Sequence, residues 1–197
     1  MTDIRELDRR ALKTTQSIVD RVDARWLGRS TPCTEWTLGQ LLAHMVGQNH
    51  GFAAVARGET SDLGVWADRP VGADPAGAFA ASAADVTEAF AADGMLDREL
   101  WLPEIRRGGL FPARQAVAFH FLDYVVHGWD VAVSIGARSE FDADLLQAVL
   151  PIAEQVPGGV SRSREGAAFG PEVDEAGGES TLDRILITLG RSPAWPN

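Results

Sequence analysis

The sequence predicts a mainly all-α chain: a four-helix bundle over residues 1–140, followed by a short carboxy-terminal α/β add-on over 141–197, a helical extension packed on the bundle. Three observations predict it. Apolar residues recur every three or four positions in four long stretches, three of those stretches open on a capping residue or an N-terminal proline, and strand-like alternation is confined to one segment near residue 100.

In the first stretch, Ile4, Leu7, Leu12, Ile18, Val19 and Val22 lie at near-helical spacing with charges between them, which predicts an amphipathic helix ending near Arg25. The second has the sharpest start. Thr37 and Gln40 form a capping box, Trp36 and Leu41 occupy the two positions of a hydrophobic staple, and the helix runs from Leu38 to about Arg57, ending at Gly58. A loop follows through residue 73. Asp74 as cap and Pro75 as first residue open the third helix, whose Phe79, Ala83, Val86 and Phe90 share a face before Gly94 stops it. Residues 96–111 read as a short hairpin or an irregular excursion. Pro112 opens the fourth helix, which continues to Ile135 and Gly136. Asp142 caps a fifth over 143–156, residues 158–180 read as a loop with a little strand, and Ser180 caps a final helix in "STLDRILITLGR".

Composition narrows the function classes. A chain of 197 residues with 45% apolar side chains can bury a core without disulfides or structural metals. The net charge of −10 works against non-specific binding to nucleic acid or anionic membranes, and no apolar run approaches the ~20 residues that span a bilayer. The single cysteine, Cys33, and the absence of a leader pattern predict a cytoplasmic protein.

The chemistry concentrates in "HFLDYVVHGWD". His120, Asp123, His127 and Asp130 recur every three or four residues on a helix that carries no Glu, Lys or Arg between Gln115 and Ser134. Asp123 and His127 are one turn apart, about 40° around the helix, a spacing that lets both reach one ion. The best further ligand is His44, two turns inside the second helix, because Gly47 and Gly51 follow it at helical spacing and let a helix or ligand come close. His50, about 120° away, reads as exposed or capping. Two imidazoles and a carboxylate suit Zn²⁺ and also Ni²⁺, Mn²⁺ or Fe²⁺, and leave coordination positions open.

On the residues alone a second reading stays open: a polar stripe as the helix's solvent face, with histidines that are merely hydrogen-bonded. His120 reads as a fourth ligand or a neighbour of the site, Asp130 as a group that orients another, and Cys33 as a nucleophile or a small buried residue.

The motifs "TPCTEWTLGQLLAHMVG", "DYVVHGWDVAVSIG" and "LDRILITLGRSP" together resemble the DinB-like superfamily, in the branch around the amino-terminal domain of mycothiol-dependent maleylpyruvate isomerase. The resemblance implies a four-helix bundle with a divalent metal, usually zinc or nickel, between helices two and four. Carried over by motif, His44, Asp123 and His127 are the implied ligands, with Asp123 standing where the isomerase has a longer Glu. It also implies a mycothiol-like low-molecular-weight thiol as cosubstrate and an electrophilic substrate, in transferase or isomerase chemistry. The isomerase's longer carboxy-terminal domain keeps its specific reaction from being carried over. A metal-dependent hydrolase, a non-catalytic metal- or ligand-binding bundle and a homodimer are the other expectations.

Overall fold

The computed structural model describes residues 2–34, 36–103, 105, 108–159, 162, 169–174 and 180–196, which fall into two compact units, 1–139 and 140–197.

The first unit is built on four helices: α1 (Ile4–Val19), α2 (Leu38–Ala56), α3 (Pro75–Ala91) and α4 (Ala113–Ser134). In the bundle α1 lies against α3 and α4, and α2 also lies against both, so the seam between α2 and α4 is one of its long edges. The core runs through all four, with Leu12, Leu41, Leu42, Met45, Phe79, Val86 and Val117 among the side chains withdrawn from water. Mainly helical architecture is therefore what the chain adopts. The described sheet is a single antiparallel pair, β1 (Glu99–Leu102) and β2 (Gly109–Pro112), which sets Leu100 opposite Phe111; of the two readings of 96–111 it favours the hairpin, preceded by a 3₁₀ turn at Met95–Asp97.

The helix starts follow their caps. The Thr37 hydroxyl accepts from the Gln40 amide while the Gln40 side chain accepts from the Thr37 N–H, 2.9 Å away, closing the expected capping box. Asp74 accepts from the Gly77 N–H at 2.9 Å, ahead of Pro75 in the first turn of α3. Three boundaries differ from expectation, one of them the end of the fifth helix, expected at 156 and found at Ala153. α1 stops at Val19, short of Arg25, because Asp23 accepts from the Arg25 N–H at 2.8 Å and starts a separate 3₁₀ turn at Ala24–Trp26. Pro112 ends β2 and caps α4 from outside rather than opening the helix.

The loop after α2 is more ordered than a loop-forming composition suggests. Asp62 caps a 3₁₀ turn at Leu63–Trp66, and the chain then crosses directly over α2, where the Arg69 N–H donates to the Ala43 carbonyl at 3.0 Å. Glycines permit that approach: a Cβ on Gly47 would stand 2.6 Å from the Ala67 oxygen, and one on Gly51 would run into the Trp66 ring.

The second unit pairs α5 (Ala143–Ala153) with α6 (Thr181–Thr188), burying Leu145, Val149, Ala153, Ile185 and Leu186. Ser180 and Asp183 close a capping box on α6. Arg162 donates to the carbonyls of Pro157, Val156 and Thr188. Most of 158–180, expected as a loop with a little strand, lies outside the described residues; the described part 169–174 carries no strand.

Candidate metal centre

His44, Asp123 and His127 meet at the seam between α2 and α4, each offering a ligand atom within 4.8 Å of the others. Helical geometry accounts for half of this. Asp123 and His127 are one turn apart on α4, and the Asp123 Oδ1 lies 3.3 Å from the His127 Nε2. The shorter Asp side chain reaches the site. His44 is contributed by α2, its ring centroid 5.8 Å from that of His127.

Each imidazole is held on its other side. The Nδ1 of His127 faces Asp130 Oδ2 at 3.0 Å, and the Nδ1 of His44 faces Asp68 Oδ1 at 3.3 Å. A carboxylate on Nδ1 takes that nitrogen's hydrogen and leaves the Nε2 lone pair for an ion. Asp130 is fully buried and Asp68 is 57% exposed, so the two supports differ in stiffness. Asp68 arrives on the strap that the glycines of α2 admit. The sequence signalled the close approach through Gly47 and Gly51; it carried no mark on Asp68, which sits in a stretch without periodicity.

Trp36 covers the pair from one side, its ring centroid 4.5 Å from His44 and 6.2 Å from His127. The residue that the sequence placed at a staple position is thus also a wall of the site.

Electrostatics separates the two histidines. Burial lowers the pKa of His44, the neighbouring His127 charge lowers it further, and Asp123 and Asp68 only partly offset this. Burial also disfavours the charged form of His127, yet Asp123, the hydrogen bond to Asp130 and the Cys33 sulfur outweigh it and hold the pKa well above the usual histidine value. Without an ion, these surroundings favour the charged form on His127 over His44.

Cys33 stands on the far side of His127. Its Sγ donates to Asp130 Oδ2 at 3.2 Å and lies 4.0 Å from the His127 Nδ1. His50 is removed from the site, paired with Asp85 at 2.8 Å on the α2–α3 side. His120 also goes elsewhere. Its Nδ1 lies 2.7 Å from Asp8 Oδ1 and its Nε2 lies 3.2 Å from Asn49 Oδ1, and its ring stacks on Tyr124 at 4.3 Å.

Fold and site together define a helical bundle with a carboxylate–dihistidine constellation in one seam. Residues 9–132 match the family described as mycothiol maleylpyruvate isomerase N-terminal domain, and the chain belongs to that family. The uncharacterized proteins MT0763 and Rv0738, from two strains of Mycobacterium tuberculosis, are each 30% identical over 188 residues, spanning 93% of this chain and 94% of the relative. Two crystal structures of the mycothiol-dependent maleylpyruvate isomerase, one of a point mutant, superpose with TM-scores of 0.60 and 0.58. They are 16% identical and the match covers 78% of this chain and 70% of theirs, a likeness of fold. Among the described residues no helix is long and apolar enough to cross a membrane.

Proposed function

We propose that His44, Asp123 and His127 hold a divalent metal ion, Zn²⁺ or Ni²⁺, and that the site serves a thiol-dependent transferase or isomerase reaction with a mycothiol-like thiol and an electrophilic substrate. The observation that carries the reading is the convergence of two imidazoles and a carboxylate from two helices, with both Nδ1 atoms already engaged by carboxylates. That donor set fits a borderline ion, and three protein ligands leave room for a small molecule. Family membership and the isomerase's fold support the thiol and the reaction class.

An ion there supplies positive charge that favours the thiolate form of a bound thiol. The chain's own side chains do the rest. Asp130 and Asp68 fix which nitrogen each ring presents, buried Asp130 keeps His127 from rotating, and Trp36 keeps bulk water off the His44 side. Half-buried Asp123 and His44 form the rim through which a guest enters.

Elemental analysis of untagged protein tests the reading. About one equivalent of metal is expected in the wild-type chain and a loss in His127→Ala. Adding mycothiol to the cobalt-loaded protein should then shift its visible spectrum. A folded wild-type chain that takes up no divalent metal, or a cobalt spectrum indifferent to thiol, rejects the metal or the thiol part respectively. Turnover of an ester or amide without thiol would assign a hydrolase.

A further inference from the structure

We infer that the bundle contains a second coordination position, formed by Cys33 Sγ, Asp130 Oδ2 and His127 Nδ1, which takes a thiophilic divalent ion in competition with the first through the shared His127.

The three atoms lie within 4.8 Å of one another on the side of His127 away from Asp123. The edges of the triangle are 3.2 Å from Sγ to Oδ2, 3.0 Å from Oδ2 to Nδ1 and 4.0 Å from Sγ to Nδ1. An ion bonded at about 2.3 Å to sulfur and about 2.0 Å to nitrogen and oxygen, with tetrahedral angles, spaces its ligands by roughly 3.2–3.6 Å. The observed triangle is close to that, so side-chain adjustments of a few tenths of an ångström suffice.

The cysteine is held in place by its own turn. The Thr31 hydroxyl donates to the carbonyls of Cys33 and Trp36, each at 2.9 Å, the Trp36 N–H donates to the Cys33 carbonyl at 2.8 Å, and Ser30 bridges to Thr37. This fixes the start of α2 and delivers the sulfur to α4, 97 positions on in the chain. Asp130 and His127 are buried and Cys33 is half-buried, so a path for an ion remains on the cysteine side.

Ligand chemistry selects the occupant. Thiolate, imidazole and carboxylate suit Zn²⁺, Cd²⁺ or Co²⁺ and disfavour Mg²⁺ and Ca²⁺. Binding breaks the thiol S–H bond and the imidazolium Nδ1–H bond, releases both protons to solvent and forms the sulfur–metal and nitrogen–metal bonds, while the imidazole keeps its hydrogen on Nε2. That hydrogen decides the competition. A neutral imidazole has one lone pair, so His127 serves the outer position through Nε2 or the inner one through Nδ1. An ion at the inner position turns an N–H towards Asp123 and withdraws His127 from the outer set.

Cobalt titration of the full chain tests this independently of any reaction. Thiolate-to-cobalt charge-transfer absorption in the near ultraviolet is expected in the wild type and in His44→Ala, and lost in Cys33→Ser. Because Cys33 is the single cysteine, alkylation of the wild-type chain gives a readout that needs no variant, and saturating Cd²⁺ should slow it about tenfold or more. Cobalt binding without the thiolate band, with alkylation unaffected by Cd²⁺, overturns the inner position; if that binding vanishes in His44→Ala, the outer reading stands. A thiolate band that survives both His44→Ala and Asp123→Ala, with no cobalt bound by Cys33→Ser, keeps the inner position and overturns the outer one.

Discussion

His120 and His127 are seven residues apart on α4 and differ by about 20° around its axis, yet they live in opposite environments. Around His120 the bundle closes completely. Asp8 from α1, Asn49 from α2 and Ser82 from α3 are all buried; the Asn49 amide donates to the Ser82 hydroxyl at 2.8 Å, and Ser82 donates to the Phe79 carbonyl at 2.9 Å. Phe52 and Phe90 stand edge-on to the ring. Both ring nitrogens face oxygens, so neither is turned towards space that an ion could occupy. Around His127 the Nδ1 side meets Asp130 and the half-buried Cys33, and the Nε2 side opens on Asp123 and His44. The difference teaches that a histidine's role here follows from how many of its nitrogens the neighbouring helices already use, not from its place on the helix.

The largest expected effect breaks the sealed region. Asp8→Ala leaves the His120 Nδ1 facing apolar neighbours and should lower unfolding stability by about 3 kcal/mol, read from urea midpoints. Metal uptake by the folded fraction should stay at the wild-type level. A folded Asp8→Ala protein that no longer takes up metal would show that the two regions act as one.

A smaller effect sharpens the open region. Asp68→Ala should weaken metal binding about tenfold in a chelator competition, since the support it removes is partly exposed. Gly47→Ala pushes the strap off α2 and should move affinity in the same direction. If Asp68→Ala binds within about twofold of wild type, the strap is packing alone.

Proton linkage gives a graded test. The ion must displace the proton that His127 holds, so affinity should rise about tenfold per pH unit up to its raised pKa. In the metal-free chain the sign for stability is opposite. The raised His127 contributes stability that is fully present below about pH 6.5 and lost as pH rises through the folded value, while the lowered His44 costs stability only as pH falls below about 6.5. Denaturation at several pH values should therefore show stability declining on the alkaline side, a decline that His127→Gln loses while the fall below about pH 6.5 remains.

The smallest effect lies at the cap. Thr37→Ala should cost about 1 kcal/mol and leave metal affinity unchanged, because Thr37 caps the start of α2 about two turns ahead of His44.

The legible parts were the local ones. Thr37 with Gln40, Asp74 with Pro75 and Ser180 with Asp183 mark helix starts because a cap needs only three or four neighbouring residues. The hairpin was half legible. Its alternation was visible in "ELWLPEI", but its closure depends on Leu100 meeting Phe111, a pairing of distant residues. The end of α1 was misplaced because Val22 continues the apolar rhythm while Asp23 diverts the backbone into its own turn.

By itself the sequence determined the helical architecture and put Asp123 and His127 on one face, because a 3.6-residue period is a property of the local chain. It also brought His44 into consideration through two glycines that leave room on α2. Only the tertiary structure decided that Asp68 would support His44, that Cys33 would reach Asp130, and that His120 would pair with Asp8 from 112 residues away. Those contacts arise when four helices choose their neighbours, and that choice is made by the summed burial of a whole core, which no single short stretch encodes.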